Sequence, residues 1–204
     1  MLEWLLKVDR DVFVYLNSLG SEQFDGFWLF ITKQVNWVPI FAIVLYLTFK
    51  RLGWRHAVLI ILIIALLLTI TDQTTNLIKN SFRRLRPGSD PDLIDYMRAV
   101  ITRKSFSFIS GHASNSMAVA FFLYHVLKPY LKYMGFIFIW PFIFAYSRIY
   151  LGLHYPGDIL VGYVWGIIMS LLMLWLYRYL RDKLFPKQQE DLDHPTNSEP
   201  ITNG

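Results

Sequence analysis

The sequence predicts an all-α membrane protein: a polytopic bundle of about five transmembrane helices, with six as the alternative, behind an N-terminal interfacial helix. Hydrophobic residues make up 54% of the 204 residues, a share that a soluble domain of this length rarely carries. Long uncharged stretches recur along the chain, and most basic residues lie between them. We therefore expect one membrane-embedded domain, residues 1–185, followed by a tail, residues 186–204.

Four uncharged stretches and a fifth, shorter one are candidate spans, since about 20 apolar residues cross the hydrocarbon layer. In chain order they are residues 34–49, 57–71, 109–127, 133–147 and 159–177. We expect the first to bend near Pro39 and the second to continue as a helix toward Lys79. A further crossing within residues 1–33 would make six, but the charges in that segment argue against it.

The two ends of the chain differ from the spans. Residues 1–20 mix charged side chains with apolar ones and contain neither an uninterrupted apolar run nor a small-residue cleavage site. We therefore expect an amphipathic helix, residues 1–20, in the interface rather than a signal peptide. Residues 186–204 are polar and acidic, which predicts a disordered tail.

The charge pattern predicts the topology. The net charge is +5, but the basic residues cluster beside the spans, in residues 50–55, 128–132 and 178–187. Alternating crossings place these clusters on one side, which the positive-inside rule assigns to the cytoplasm together with the C-terminus. Residues 83–104 and 151–157 then face the outside. Membrane topology explains the charge, so we expect no nucleic-acid partner, and the absence of Cys excludes disulfides and thiolate catalysis.

The second span carries polar residues at helical spacing. These are Asp72, Asn76, Lys79, Arg83 and Arg86. We predict that they share one helix face that lines the bundle interior and ends at Pro87, because ionisable residues inside a span usually serve a function. The alternative, a basic helix end whose side chains extend to the interface, accounts well for Arg83 and Arg84.

A Ser-Gly-His tripeptide opens the third span. Gly111 permits close approach of the backbone to a ligand, and free N–H groups at a helix start suit an anion. Ser110 adds a hydroxyl donor, and His112 has the chemistry to protonate a leaving oxygen. The alternative is a small-residue packing site with a capping serine.

The last polar cluster joins spans four and five. Asp158 follows His154 by four residues, so a helical turn would bring its carboxylate to one imidazole nitrogen and leave the other as nucleophile or base. Arg148 offers a planar fork for phosphate oxygens. Pro156 suits the first turn of a helix.

The other histidines have simpler interpretations. We expect His56 and His194 to be solvated and His125 to be a packing residue. A metal site at His112, His154 and Asp158 is the chemical alternative.

A cluster of cations disfavours that metal site. Lys79, Arg86 and Arg148 would repel a divalent cation and instead complement an oxyanion. We therefore predict neither a metal nor another cofactor.

Together these motifs resemble those of the type-2 phosphatidic acid phosphatase superfamily, whose core is shared with vanadium haloperoxidases. Its first motif is a lysine, six residues and then Arg-Pro, which Lys79 and Arg86-Pro87 match. Its third motif is Ser-Arg, five residues, a histidine, three residues and an aspartate. Ser147-Arg148, His154 and Asp158 match it at every position. The second, Pro-Ser-Gly-His, has Ile109 in the proline position. The resemblance covers residues 25–180.

The resemblance implies a metal-independent lipid phosphatase. His154 would attack phosphorus to form a phosphohistidine, Asp158 would orient it, and His112 would protonate the leaving oxygen and later activate water. The residues implied to hold the phosphoryl oxygens are Lys79, Arg86, Ser110, Gly111 and Arg148. Asp72 and Asn76 lie outside the motifs and would contact these residues rather than the phosphate.

The substrate is less well defined by the sequence. The resemblance suggests a lipid phosphate or diphosphate in a bacterial inner membrane, handled on its outer side. We favour undecaprenyl diphosphate; phosphatidylglycerol phosphate and a lipid A phosphate are alternatives. Transfer to another lipid and non-hydrolytic lipid transport also stay open, whereas the spans disfavour a soluble phosphatase or haloperoxidase. Oligomeric state is not predicted.

Overall fold

The computed structural model describes residues 1–186, which form helices and loops without any β-strand. The helices are α1 (Leu2–Ser18), α2 (Asp25–Ile31), α3 (Val38–Phe82), α4 (Gly111–Leu127), α5 (Ile139–Tyr150) and α6 (Pro156–Leu184). Short 3₁₀ turns precede α2, α3 and α5. The predicted all-α class is confirmed. The predicted disordered tail lies, from residue 187 onward, outside the described residues.

Helix α3 contains residues 38–49 of the first predicted span and the whole of the second, while residues 34–37 form the 3₁₀ turn before it. Gly53 interrupts the helix with a φ of 79° and a ψ of 169°, a positive φ that glycine adopts without steric cost. The expected loop between these spans is therefore reduced to a break at one residue. Pro39 occupies the first turn of α3, where its fixed φ fits and no helical hydrogen bond is lost, so the helix begins there instead of bending.

The outer surface of the bundle is apolar. Gln34–Ser89 and Pro156–Leu184 are long and apolar enough to cross a membrane, yet only 33% of the most apolar window in each is buried. Large apolar side chains face outward, including Leu62 at 61% and Trp175 at 70% exposure. Such a surface is expected in contact with lipid rather than with water. The number of crossings stays a prediction.

Close packing of α4 on α6 brings two of the motifs together. A Cβ atom at Gly166 would overlap the carbonyl oxygen of Ser114, and one at Gly162 would lie 2.9 Å from that of Ser110. These glycines therefore allow the helices to approach closely, as small residues do in membrane bundles. The Ser110 N–H donates to the Asp158 carbonyl oxygen at 3.0 Å, so the first turns of α4 and α6 lie side by side.

The histidines away from the motifs pack into the bundle. His56 is only 2% exposed, and its ring lies 4.6 Å from that of Phe185. The expectation that it is solvated was wrong, because the chain following α6 covers it. His125 Nδ1 lies 2.9 Å from the Phe121 carbonyl oxygen, in keeping with a packing role. His194 lies outside the described residues.

Candidate active site

Helix α1 is attached to the end of the bundle that carries the motifs. The Asn17 side chain is fully buried and donates to the carbonyl oxygens of Ile149 at 3.0 Å and Tyr150 at 3.1 Å. Its amide oxygen accepts from the Arg98 N–H at 2.7 Å. The helix predicted for residues 1–20 is thus present and fixed to α5 and to the loop after α3. Its place in the membrane interface stays a prediction.

The chain turns away from the helix axis at the end of α3. Arg83 has a left-handed conformation, with φ 51°, so the helix ends at Phe82. Lys79 lies on the helix, whereas Arg86 follows on extended backbone, with φ −75° and ψ 153°. The prediction of one helix face running through Arg83 to Arg86 was therefore wrong, although Arg86 still reaches the other motifs.

The His154–Asp158 pair forms at the start of α6. Asp158 Oδ2 lies 3.4 Å from His154 Nδ1 and accepts from the Tyr155 N–H at 3.0 Å. Both residues are at most 1% exposed. The pairing expected from the spacing of four residues is thus present, because Pro156 begins the helix that places Asp158 in its first turn.

The second nitrogen of His154 determines the tautomer. Arg86 Nη1 lies 3.1 Å from His154 Nε2. Since a guanidinium has donors only, Nε2 accepts this hydrogen bond and the ring proton resides on Nδ1, facing Asp158. The Nε2 lone pair is therefore held in the form that a nucleophile requires.

The electrostatic surroundings keep His154 neutral. Burial, followed by the positive charges of Arg86, Arg148 and Lys79, lowers the pKa of His154 well below its ordinary value. Burial and the charge of Arg103 lower the pKa of Arg86 to about 10, which leaves Arg86 a cation at neutral pH. A neutral imidazole beside buried cations suits attack on an anionic substrate.

The start of α4 lies beside the cation from α3. A Cβ at Gly111 would lie 3.4 Å from Lys79 Nζ, so the glycine leaves room for the ammonium group. Ser110 is fully buried, and its hydroxyl accepts the Ala113 N–H at 3.4 Å as the cap of α4. The capping role considered above is therefore present, while the hydroxyl proton is still a potential donor.

His112 and Arg148 complete the set of predicted residues. The His112 ring stacks on Phe144 with centroids 5.1 Å apart, and no hydrogen bond reaches its side chain from residues 1–186. Arg148 is 3% exposed; one of its terminal nitrogens donates to Thr32, but its buried Nε has no partner in the described chain. An unpaired buried donor is costly, and a phosphoryl oxygen would satisfy it.

Arg84 and Asp9 belong to the site but were not predicted from the sequence. Arg84 donates to Asp158 Oδ1 at 2.9 Å and to Asp9 Oδ2 at 2.7 Å, and its guanidinium lies 3.8 Å from the Tyr155 ring centroid. Asp9 also accepts from the Gly157 N–H at 2.7 Å. The interpretation of Arg84 as a basic helix end was wrong. No local spacing predicts these contacts, because they join three parts of the chain that are far apart in the sequence.

A helical membrane bundle with a buried His–Asp pair and convergent cations at one end has the features of a membrane phosphatase. The chain belongs to the PAP2 superfamily, whose pattern matches residues 56–182. This range includes every predicted site residue and confirms the resemblance drawn from the motifs. The protein is accordingly a membrane lipid phosphatase of the PAP2 type.

Individual relatives resemble the chain over most of its length. It is 35% identical to a lipid A 4'-phosphatase of Bacteroides thetaiotaomicron, over 96% of this chain and 86% of the relative. A lipid A 4'-phosphatase of Porphyromonas gingivalis is 31% identical, over 89% of this chain and 78% of that relative. The crystal structure of a PAP2-type phosphatidylglycerolphosphate phosphatase from Bacillus subtilis shares the fold, with a TM-score of 0.63 and 20% identity over 88% and 87% of the two chains.

Proposed function

We propose that the protein hydrolyses the phosphate monoester of an acylated amino sugar, a lipid A phosphate, through a phosphohistidine at His154 and without a metal ion. The observation that carries the chemistry is the His154 imidazole, oriented by Asp158 with its Nε2 lone pair toward Arg86. Similarity to the Bacteroides lipid A 4'-phosphatase along 96% of this chain supports the substrate. The initially favoured undecaprenyl diphosphate has no such support from these relatives.

The first step transfers the phosphoryl group to the enzyme. A phosphoryl oxygen competes with Nε2 for the Arg86 donor, because an anion is the better acceptor for a guanidinium. The freed Nε2 lone pair attacks phosphorus, and the bond between phosphorus and the ester oxygen breaks. The negative charge of the bound phosphate favours the protonated form of His112, which donates its proton to the leaving alcohol oxygen. The Nδ1 proton stays directed at Asp158, which stabilises the positive charge that develops on the imidazole.

The second step returns the enzyme to its starting state. Water attacks the phosphorus of the phosphohistidine while neutral His112 accepts a proton from it. The bond between phosphorus and Nε2 breaks, inorganic phosphate leaves, and His154 regains its lone pair. His112 ends the cycle protonated, so both bonds and protons balance.

Cations and oriented donors supply most of the transition-state stabilisation in phosphoryl transfer. The groups proposed to hold the phosphoryl oxygens are Lys79, Arg86, the Ser110 hydroxyl, the Gly111 N–H and Arg148. The unpaired Nε of Arg148 is the donor most directly available for this role.

We further propose that the site faces the outside of a bacterial inner membrane. The basic cluster at residues 50–55 surrounds the break in α3, and the cluster at residues 128–132 follows α4. Both are thus at the helix ends away from the site, and the positive-inside rule would assign them to the cytoplasm. Lipid A phosphates on the outer leaflet would then reach the site from the bilayer.

Phosphate release from a lipid panel tests the proposed function. The purified protein, in detergent with excess chelator, is given lipid A, undecaprenyl diphosphate, phosphatidylglycerol phosphate and phosphatidic acid. Lipid A should be hydrolysed with the highest kcat/KM, free phosphate should be the product, and His125→Ala should match the wild type. Activity that requires Mg²⁺, a preference for undecaprenyl diphosphate, or transfer of phosphate to a second lipid would each overturn a part of the proposal.

A further inference from the structure

A groove of about 790 Å³ enters the bundle between α3, α4 and α5. Most of its lining is apolar, including Phe41, Ile64, Leu68, Val119 and Trp140. Phe144 also lines the groove and stacks on the catalytic candidate His112. The groove therefore borders the candidate active site at Phe144.

Polar side chains interrupt the apolar wall of the groove. Gln34, Asp72 and Asn115 line it together. Asp72 lies about 15 Å along the helix axis from the end of α3, at a rise of about 1.5 Å per residue. An acidic side chain at such a position in an apolar helix is costly and indicates a function.

These polar groups have unused acceptor capacity. The Asp72 carboxylate receives one hydrogen bond from the described residues, from Asn76 Nδ2 at 3.2 Å. The Asn115 Oδ1 atom is buried and has no partner among residues 1–186. Since a carboxylate offers about four acceptor positions, a ligand with O–H or N–H donors would satisfy atoms that the protein leaves unpaired.

Asp72 is poorly suited to hold the phosphate itself. Its negative charge would repel a phosphoryl group. Its Oδ1 lies 4.0 Å from the Cβ position of Gly111, while Lys79 Nζ lies 3.4 Å from that same position. The ion pairs of the described residues do not include one between Asp72 and Lys79. The carboxylate thus lies next to the phosphate-binding region, where the alcohol portion of a substrate would follow the phosphate.

We propose that Asp72, together with Asn115 and Gln34, binds the hydroxyl and amide donors of the alcohol to which the phosphate is esterified, and that the apolar groove holds its chains. This inference rests on the proposed function and identifies the part of the site that selects the substrate. An acylated amino sugar carries O–H and N–H donors close to its phosphate ester. A polyprenyl alcohol and a diacylglycerol carry none, so they would leave the acceptors unpaired.

The selectivity of Asp72→Ala tests this inference. Its kcat/KM on lipid A should fall at least about tenfold more than its kcat/KM on phosphatidic acid, because a hydrogen bond to a charged group contributes this order of discrimination. Asp72→Asn keeps one acceptor oxygen and should lose less. Gln73→Ala is the matched control, since Gln73 is an exposed neighbour on α3 outside the groove lining.

Equal losses on both lipids would show that Asp72 acts through Lys79, and no loss would show that it touches no substrate; either result overturns the inference. If the wild type does not hydrolyse lipid A, the proposed function fails separately. The comparison is then made between phosphatidylglycerol phosphate, whose headgroup glycerol has a free hydroxyl, and phosphatidic acid. A fall in that ratio for Asp72→Ala supports the polar subsite, and an unchanged ratio overturns it.

Discussion

Arg84 connects Asp158 to Asp9: its guanidinium donates to the first carboxylate at 2.9 Å and to the second at 2.7 Å. Asp158 has no exposed side-chain surface, whereas Arg84 is 20% and Asp9 13% exposed. The N-terminal helix is thereby coupled to the carboxylate that faces His154. An uncompensated buried charge is strongly unfavourable, so Arg84 stabilises the ionised Asp158 and restricts its orientation.

Arg84→Ala should lower kcat by about 10- to 100-fold with a small change in KM, because it leaves Asp158 without its buried counter-ion. Phosphate release from a lipid phosphate over a range of concentrations separates the two constants. Arg83→Ala is the matched control, since Arg83 is exposed and, within residues 1–186, its side chain donates only to the Asn80 carbonyl oxygen. Similar kcat values for the two variants would remove Arg84 from its proposed positioning role.

Gly166→Ala should destabilise the bundle, because the added Cβ would overlap the Ser114 carbonyl oxygen. Overpacking of a dense interface costs about 1–3 kcal/mol, and the thermal midpoint in detergent should fall. Gly135→Ala provides the control, since a Cβ there meets no atom of the described residues within 4 Å. Equal midpoints for both variants would mean that α4 and α6 are less closely packed than described.

His154 should stay neutral in mildly acidic solution. Burial and three neighbouring cations lower its pKa, so the folded protein binds a proton at this ring more weakly than the unfolded chain does. The neutral ring therefore contributes to the free energy of unfolding at pH values above the pKa of His154 in the unfolded chain, about 6.5. This contribution declines as the pH falls below that value. Imidazole nitrogen NMR, assigned with a His154→Gln variant, should show no titration of this ring between about pH 7.5 and 5.5; a midpoint near the ordinary value would refute the described electrostatics.

The topology can be tested with single cysteines, because the chain contains no Cys. Ser89→Cys and Lys132→Cys place thiols at exposed positions in loops predicted to lie on opposite sides. In intact cells a membrane-impermeant maleimide should label the first variant, and the second only after permeabilisation. Labelling of both in intact cells would require a different arrangement of spans.

Local patterns in the sequence were enough to predict most of the fold and the candidate residues. The spacing of four residues between His154 and Asp158 predicts their contact, because one helical turn covers it. The uncharged stretches likewise predict the helices, since their apolar side chains suit the hydrocarbon layer of a membrane.

Long-range contacts were not predictable in this way. Arg84 meets Asp9 and Asp158 only after three distant segments fold together. His56 looked solvated because the chain that covers it lies far along the sequence. The end of α3 at Arg83 was not predicted, because the left-handed conformation that ends a helix is usually adopted by glycine and here is adopted by arginine. The motifs also do not predict the substrate, because the residues proposed to bind the phosphate would contact the phosphate and not the alcohol.

The decisive measurement is the capture of the phosphoryl enzyme. Protein in detergent with excess chelator is mixed with radiolabelled lipid A phosphate, quenched in alkali, and analysed by peptide mapping. We expect acid-labile, alkali-stable label on the peptide that contains His154 and no label in His154→Ala. Absence of label from an active enzyme, label on another residue, or label only when Mg²⁺ is supplied would disprove metal-free catalysis through His154.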